Sequence, residues 1–153
     1  MSWSWVIPGE PVAKARARVF RNPHTGHAHG VTPERTRHWE AVAVEVLACH
    51  WDGPPLDVPV RLEIAAVFAR PKRLMRQRDP SGRMPNPCRP DADNVAKALM
   101  DAVQRAGVVR DDSRVCQVAI SKAYAAKDEG PRVEVRISTY DSSTPINFDE
   151  IPF

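Results

Sequence analysis

The stretch Asp91-Ala92-Asp93-Asn94-Val95-Ala96-Lys97, answered one helix later by Asp111-Asp112, constrains this chain more than any other. Val95, Ala98, Leu99, Ala102, Val103 and Ala106 recur at helical spacing, so a helix is expected there with one apolar face against a core. Asp93, Lys97 and Asp101 lie four apart on the opposite face, and Asp93 or Asn94 can cap the helix. Asp91 sits in extended chain just before it, so Asp91 and Asp93 can point to one spot. Asp112, at the start of the next strand, returns to that spot if helix and strand are neighbours. Crowded carboxylates repel one another, so a fold gains nothing from clustering them unless a cation sits between them. Oxygen-only ligands from Asp suit Mg²⁺ or Mn²⁺, one or two ions, with positions left for water and phosphate. That points to phosphodiester chemistry on a nucleic acid, with Lys97 neutralising developing charge or orienting the nucleophile.

Taken singly, these residues have ordinary explanations: Asp93 as a cap, Lys97–Asp101 as a surface pair, Asp111-Asp112 as a turn. Together those explanations leave the Asp91/Asp93 pair, set in a basic body, without a reason. An EF-hand reading fails, because position 6 is not Gly and position 12 is Ala102 rather than Glu.

The body is more basic than the net charge of +3 suggests. Residues 139–153 hold Asp141, Asp149 and Glu150 and no Lys or Arg, which leaves all 22 basic residues against 16 acidic ones elsewhere. Lys14, Arg16, Arg18 and Arg21 form one cationic group. Arg70, Lys72, Arg73, Arg76, Arg78, Arg83 and Arg89 form another, offset only by Asp79. A phosphate-binding groove needs such a bias and a solvated loop does not. No apolar run reaches the length of a membrane span and no signal-peptide core is present, so a cytoplasmic protein is expected. Cys49, Cys88 and Cys116 are odd in number and widely spaced, which argues against disulfides and a zinc site.

Trp3, Trp5 and Ile7 alternate with Ser2, Ser4 and Val6 as a first strand, stopped by Pro8-Gly9. Residues 8–31 read as a basic loop or ribbon. His24, His27 and His29 could take a metal there, but a polar hairpin tip is the preferred reading. Thr32-Pro33-Glu34 reads as a helix start, with Trp39, Val42, Ala43, Val46 and Leu47 as its buried stripe. Val60–Phe68 reads as a strand. Residues 70–90 show no period and are expected to be a DNA-contacting loop. After the Asp91–Gly107 helix, Cys116, Val118 and Ile120 and then Val133, Val135 and Ile137 read as an antiparallel hairpin. The order β-α-β-α-β-β implies one α+β domain, a mixed sheet packed with two helices.

Pro90-Asp91-Ala92-Asp93-Asn94-Val95-Ala96-Lys97, Asp101-Ala102, Gly107-Val108, Asp111-Asp112-Ser113 and Lys122-Ala123-Tyr124 together resemble the RusA-type Holliday-junction resolvases. These are Mg²⁺-dependent endonucleases common in bacterial prophages and phages. The resemblance is strong over residues 60–137 and looser before, where Ile7-Pro8-Gly9 and Lys14–Arg18 fit the family's first strand and DNA-contacting loop. It implies a homodimer that makes paired symmetric nicks in a four-way junction, within residues 1–138. Asp91, Asp93 and Asp112 would be catalytic metal ligands and Lys97 the catalytic lysine. Asp111 and Asp101 would be supporting residues. Lys14, Arg16, Arg18, Arg70, Lys72, Arg73, Arg76 and Arg89 are the expected DNA contacts. Residues 139–153 read as a flexible acidic tail whose Asp149-Glu150-Ile151-Pro152-Phe153 resembles the tip of bacterial single-stranded DNA-binding proteins. Ile151, Pro152 and Phe153 would dock to host proteins that bind that tip. A non-catalytic recruitment protein and a broader flap or branch nuclease are the competing readings.

Overall fold

The computed structural model describes residues 1–14, 18–140 and 143. The alternating run at the N-terminal end forms β1 (Ser2–Pro8), which buries Trp5 and Ile7 and turns at Gly9, where φ is +97°. A two-stranded antiparallel ribbon follows, β2 (Arg18–Arg21) with β3 (Ala28–Val31). The Asn22 side chain closes its turn by accepting the His24 N–H at 2.9 Å. His24 and His27 therefore lie at a hairpin tip.

Helix α1 (Glu34–Cys49) starts at the Thr32-Pro33-Glu34 run, with Pro33 as its cap residue and no side chain bonding the free N–H groups. Its buried stripe is Thr36, Trp39, Glu40, Ala43 and Leu47, with Val42 and Val46 only partly covered. The remaining elements are β4 (Val60–Phe68), the short β5 (Met84–Pro85), α2 (Ala92–Arg105), β6 (Val115–Tyr124) and β7 (Arg132–Thr139). They give one mixed sheet in the order β1-β7-β4-β6-β5, packed with α1 and α2, so the chain is α+β. Ile7, Leu47, Leu62, Leu99, Val103 and Ile137 are fully buried in the main core.

The expected β6–β7 hairpin does not form. β6 pairs with β4 in parallel, β7 pairs with β4 antiparallel, and β4 lies between them. The reason is in β4 itself, which buries Val60, Leu62, Ile64, Ala66, Val67 and Phe68 and so needs neighbours on both edges. A parallel β4–β6 pair requires a crossover, and α2 supplies it, covering the sheet with Val95, Ala98, Leu99, Ala102 and Val103. Gly107 ends α2 at φ +74°, with the Val108 N–H bonded back to the Val103 carbonyl.

The segment 70–90 is not structureless. Arg70 donates to the Leu74 carbonyl at 2.8 Å and the Gly82 carbonyl at 3.1 Å, closing the loop on itself. Lys127 Nζ holds the Arg76 and Asp79 carbonyls at 2.7 Å each. Arg83 pairs with Glu129 and Glu134, and Arg132 joins both carboxylates. The Arg83 guanidinium first, then the Ala126 N–H, pulls the Glu129 carboxyl down to about 2. A depressed folded value gives stability that is present above the unfolded value and lost as pH falls toward the folded one. The thermal midpoint of the wild type should therefore fall more steeply between about pH 4.5 and pH 2 than that of Glu129→Gln. Acid limbs that ran parallel in the two proteins would remove Glu129 from this account.

β7 runs to Thr139, and Tyr140 donates its N–H to the Pro59 carbonyl at 3.0 Å and its hydroxyl to Gln117 Oε1. The first two residues expected as linker are thus part of the fold. The remaining tail, including Ile151, Pro152 and Phe153, lies outside the described residues apart from Ser143. No described helix is long and apolar enough to cross a membrane.

Candidate active site

Residues 86–90 are pinned to the far end of β6 before they enter α2. The Asn86 N–H donates to the Lys122 carbonyl at 3.2 Å, and Lys122 Nζ donates to the Cys88 carbonyl at 2.6 Å. Lys122 thus aims the turn that delivers Asp91, a role that the sequence did not reveal. Asp91, rather than Asp93 or Asn94, is the cap residue of α2, in extended conformation at φ −70°, ψ 145°. Its carboxylate caps nothing, and it has no hydrogen-bond or ion-pair partner among the described residues. Asp93 sits in the first turn, and Lys97 lies one turn on with its Nζ 3.6 Å from Asp93 Oδ2. Both side chains are about two-thirds exposed, at 67% and 64%. The free N–H groups at the helix start favour negative charge, which lets two carboxylates sit side by side there. A groove of about 330 Å³ opens next to them, lined by Glu10, Ala13, Arg35, Phe68, Arg89 and Pro90.

Asp112 does not join them within one chain. Val95, in the first turns of α2, packs with Phe68 and Tyr124 at the ends of β4 and β6. Asp112 precedes Val115, which pairs with Val60 at the opposite ends of those strands. Helix and strand are neighbours, as expected, but they run antiparallel. A ten-residue β6 separates the two ends by about 30 Å at ~3.3 Å per residue. Accordingly, among the described residues no three His, Cys, Asp or Glu side chains are arranged to hold a metal ion.

The second acidic pair has its own surroundings. Leu56 clamps the approach, donating to the Val108 carbonyl at 2.9 Å and accepting from the Arg110 N–H at 3.0 Å. Asp57 then holds Arg110 at 2.6 Å and Arg114 at 2.8 Å. Asp112 is exposed, and its carboxylate has no hydrogen-bond or ion-pair partner among the described residues. Asp111 caps the short turn Asp112–Arg114 by accepting the Ser113 N–H at 3.0 Å. Bonds from Ser113 hold its carboxyl below the usual range.

The expected cationic contacts divide in two. Lys14 Nζ is bonded to Asp101 and lies 3.3 Å from Glu40, which also meets Arg105 at 3.1 Å. The Asp101 hydrogen bond chiefly raises the Lys14 ammonium. The Lys14 N–H also donates to the Asn94 carbonyl at 2.9 Å, so this residue ties the start of the ribbon to α2. Asp101 therefore pairs with Lys14 rather than Lys97. Glu40 was missed, although its place between Trp39 and Ala43 on the buried stripe was the available signal. Arg70 is occupied by loop carbonyls, Arg73 lies against the Tyr124 hydroxyl, and Arg76 pairs with Asp79 at 3.2 Å. Lys72 and Arg89 are exposed with no side-chain partner among the described residues, and Arg78 is exposed with the Asp79 carboxylate as its nearby charge. Arg16 falls outside the described residues, and Arg18 opens β2.

The chain thus presents an exposed pair of oxygen donors on a basic α+β body. Residues 8–138 match the family described as endodeoxyribonuclease RusA, and the chain belongs to that family. It is 26% identical over 104 residues to the crossover junction endodeoxyribonuclease RusA of Aquifex aeolicus, covering 68% of this chain and 70% of the relative.

Proposed function

We propose that this chain is a divalent-metal-dependent endonuclease that resolves four-way DNA junctions by paired symmetric nicks, in recombination and repair. The observation that carries this reading is the exposed Asp91/Asp93 pair at the start of α2, with Lys97 one turn away, on a member of an endodeoxyribonuclease family. Asp91 and Asp93 are hard oxygen donors that, among the described residues, no arginine or lysine other than Lys97 engages, which fits Mg²⁺ or Mn²⁺. Such an ion would supply an activated water and polarise the phosphate. Lys97 places an ammonium where negative charge gathers on phosphorus, and Asp93 holds it there at 3.6 Å.

The separation of Asp112 from Asp91 favours a homodimer. A two-fold axis that sets the ends of two α2–β6 units against each other would bring the partner's Asp112 to Asp91 and Asp93. Two symmetric nicks across a junction also need two sites related by a two-fold axis. Incubating the protein with a synthetic four-way junction, with and without Mg²⁺, tests the reading. Metal-dependent paired nicks at the branch are expected. Equal cutting of flaps and splayed arms would replace it with a general branch nuclease, and binding without cutting would make the protein a recruitment factor.

The acidic tail contrasts with the basic body, and we propose that it docks to host proteins through Phe153 and its carboxylate, with Ile151 and Pro152 beside it. Deleting Phe153 alone should leave junction cleavage unchanged and weaken capture of proteins that bind the single-stranded DNA-binding protein tip. Undiminished capture would make the tail resemblance a coincidence.

A further inference from the structure

Among the described residues the exposed large apolar side chains are Met1, Val6, Val58, Met75 and Val118. Only Met75 lies in the cationic loop, with Lys72 and Arg73 before it and Arg76-Gln77-Arg78 after it. It is 44% exposed, whereas its neighbour Leu74 packs against the small core cluster of Ala66, Phe68, Val95 and Tyr124. The backbone on both sides is fixed. The Met75 N–H donates to the Lys72 carbonyl at 3.1 Å, and the Arg76 N–H donates to Asp79 Oδ2 at 2.9 Å. The Asp79 N–H returns to the Arg76 carbonyl at 2.9 Å, and Arg70 and Lys127 lash the loop from beneath. Met75 is thus nearly half exposed on a loop fixed at both ends and belongs to neither hydrophobic cluster, and the charges around it suit phosphates.

We propose that Met75 is a wedge that enters between bases at the branch point of a DNA junction, while Lys72 and Arg78 seat the adjoining phosphates. The inference rests on the junction-binding reading above and names the residue that distinguishes a branch from plain duplex. Apolar side chains, Met among them, are used to unstack base steps, and the cost is lowest where stacking is already interrupted. Lys72 has no protein partner to surrender, Arg78 has only the charge of Asp79 nearby, and the loop needs little ordering to bind. Their phosphate contacts carry no preference for a branch, so the preference falls to Met75.

The test uses the full chain in EDTA, a four-way junction carrying 2-aminopurine at the branch, and a linear duplex of the same arm sequence. Wild type should bind the junction more tightly than the duplex and brighten the branch-point base. Met75→Ala should lose the brightening and about tenfold in junction affinity, with duplex affinity unchanged. Met75→Leu should retain both, and Arg78→Gln should weaken junction and duplex together. The wedge is overturned if Met75→Ala still brightens the base, weakens both DNAs equally, or changes the sedimentation of the free protein. A wild type with no preference for the junction would overturn the junction-binding reading, and the wedge with it; that result needs no variant.

Discussion

Asp93→Asn is expected to leave no measurable nicking of a four-way junction in Mg²⁺, with the junction bound as tightly as by wild type or more tightly. The substitution keeps the shape of an exposed side chain in the first turn of α2, so stability should hardly change. What it removes is an anionic oxygen donor next to Asp91 and the charge that holds Lys97. Loss of a metal ligand removes both water activation and phosphate polarisation, an effect of several orders of magnitude on the rate. Binding should move the other way, because one negative charge leaves a surface that meets phosphates. Gel-shift titration beside single-turnover cleavage separates the two effects. A variant that nicks at the wild-type rate would take Asp93 out of the site.

The second large effect is on stability. Leu99 lies at the middle of the α2 stripe with no exposure, facing the sheet. Leu99→Ala should cost about 3 kcal/mol, within the ~2–5 kcal/mol range for a buried leucine that leaves a cavity. Urea unfolding measures it as a lower midpoint at unchanged slope. Leu99→Met, which keeps the volume, should cost less than about 1.5 kcal/mol. A loss under 1 kcal/mol for the alanine variant would mean that the helix can settle onto the sheet and fill the space.

Period and punctuation made much of this fold legible in advance. The alternation in β1, the apolar run of β4 and the stripe of α2 each identify an element from its own residues, because burial of one face leaves a local pattern. Pairing leaves no such mark. Cys116, Val118 and Ile120 alternate whether β6 lies beside β7 or beside β4, and in fact Cys116 and Val118 are exposed near an edge with little cover. The short β5 and the lashed loop at 70–90 depend on Arg83 and Lys127 finding partners far along the chain, which no window of residues displays. The site divides in the same manner. Asp91, Asp93 and Lys97 are within reach of the sequence because all three lie at one helix start, Asp93 and Lys97 one turn apart. Their distance from Asp112 follows from the direction of a strand, and the spacing of residues does not reveal direction. Glu40, buried between Lys14 and Arg105, looked like one more charge on a helix until its neighbours were seen.

The pairing of β1 with β7 has a bearing on how the protein comes into being. Ser2 faces Ser138 and Pro8 faces Arg132, so β1 has its ladder partner in a strand far along the chain. During synthesis β1 must wait, its Trp3 and Trp5 without their strand neighbour, until β7 has been translated. The β4–α2–β6 unit is the more local assembly and can condense earlier, carrying the acidic helix end with it. Closure of the sheet is then a late, long-range step, of the kind that slows folding and lengthens exposure to aggregation. A ribosome stalled before residue 132 would hold a chain with its acidic helix formed and its first strand still unpaired.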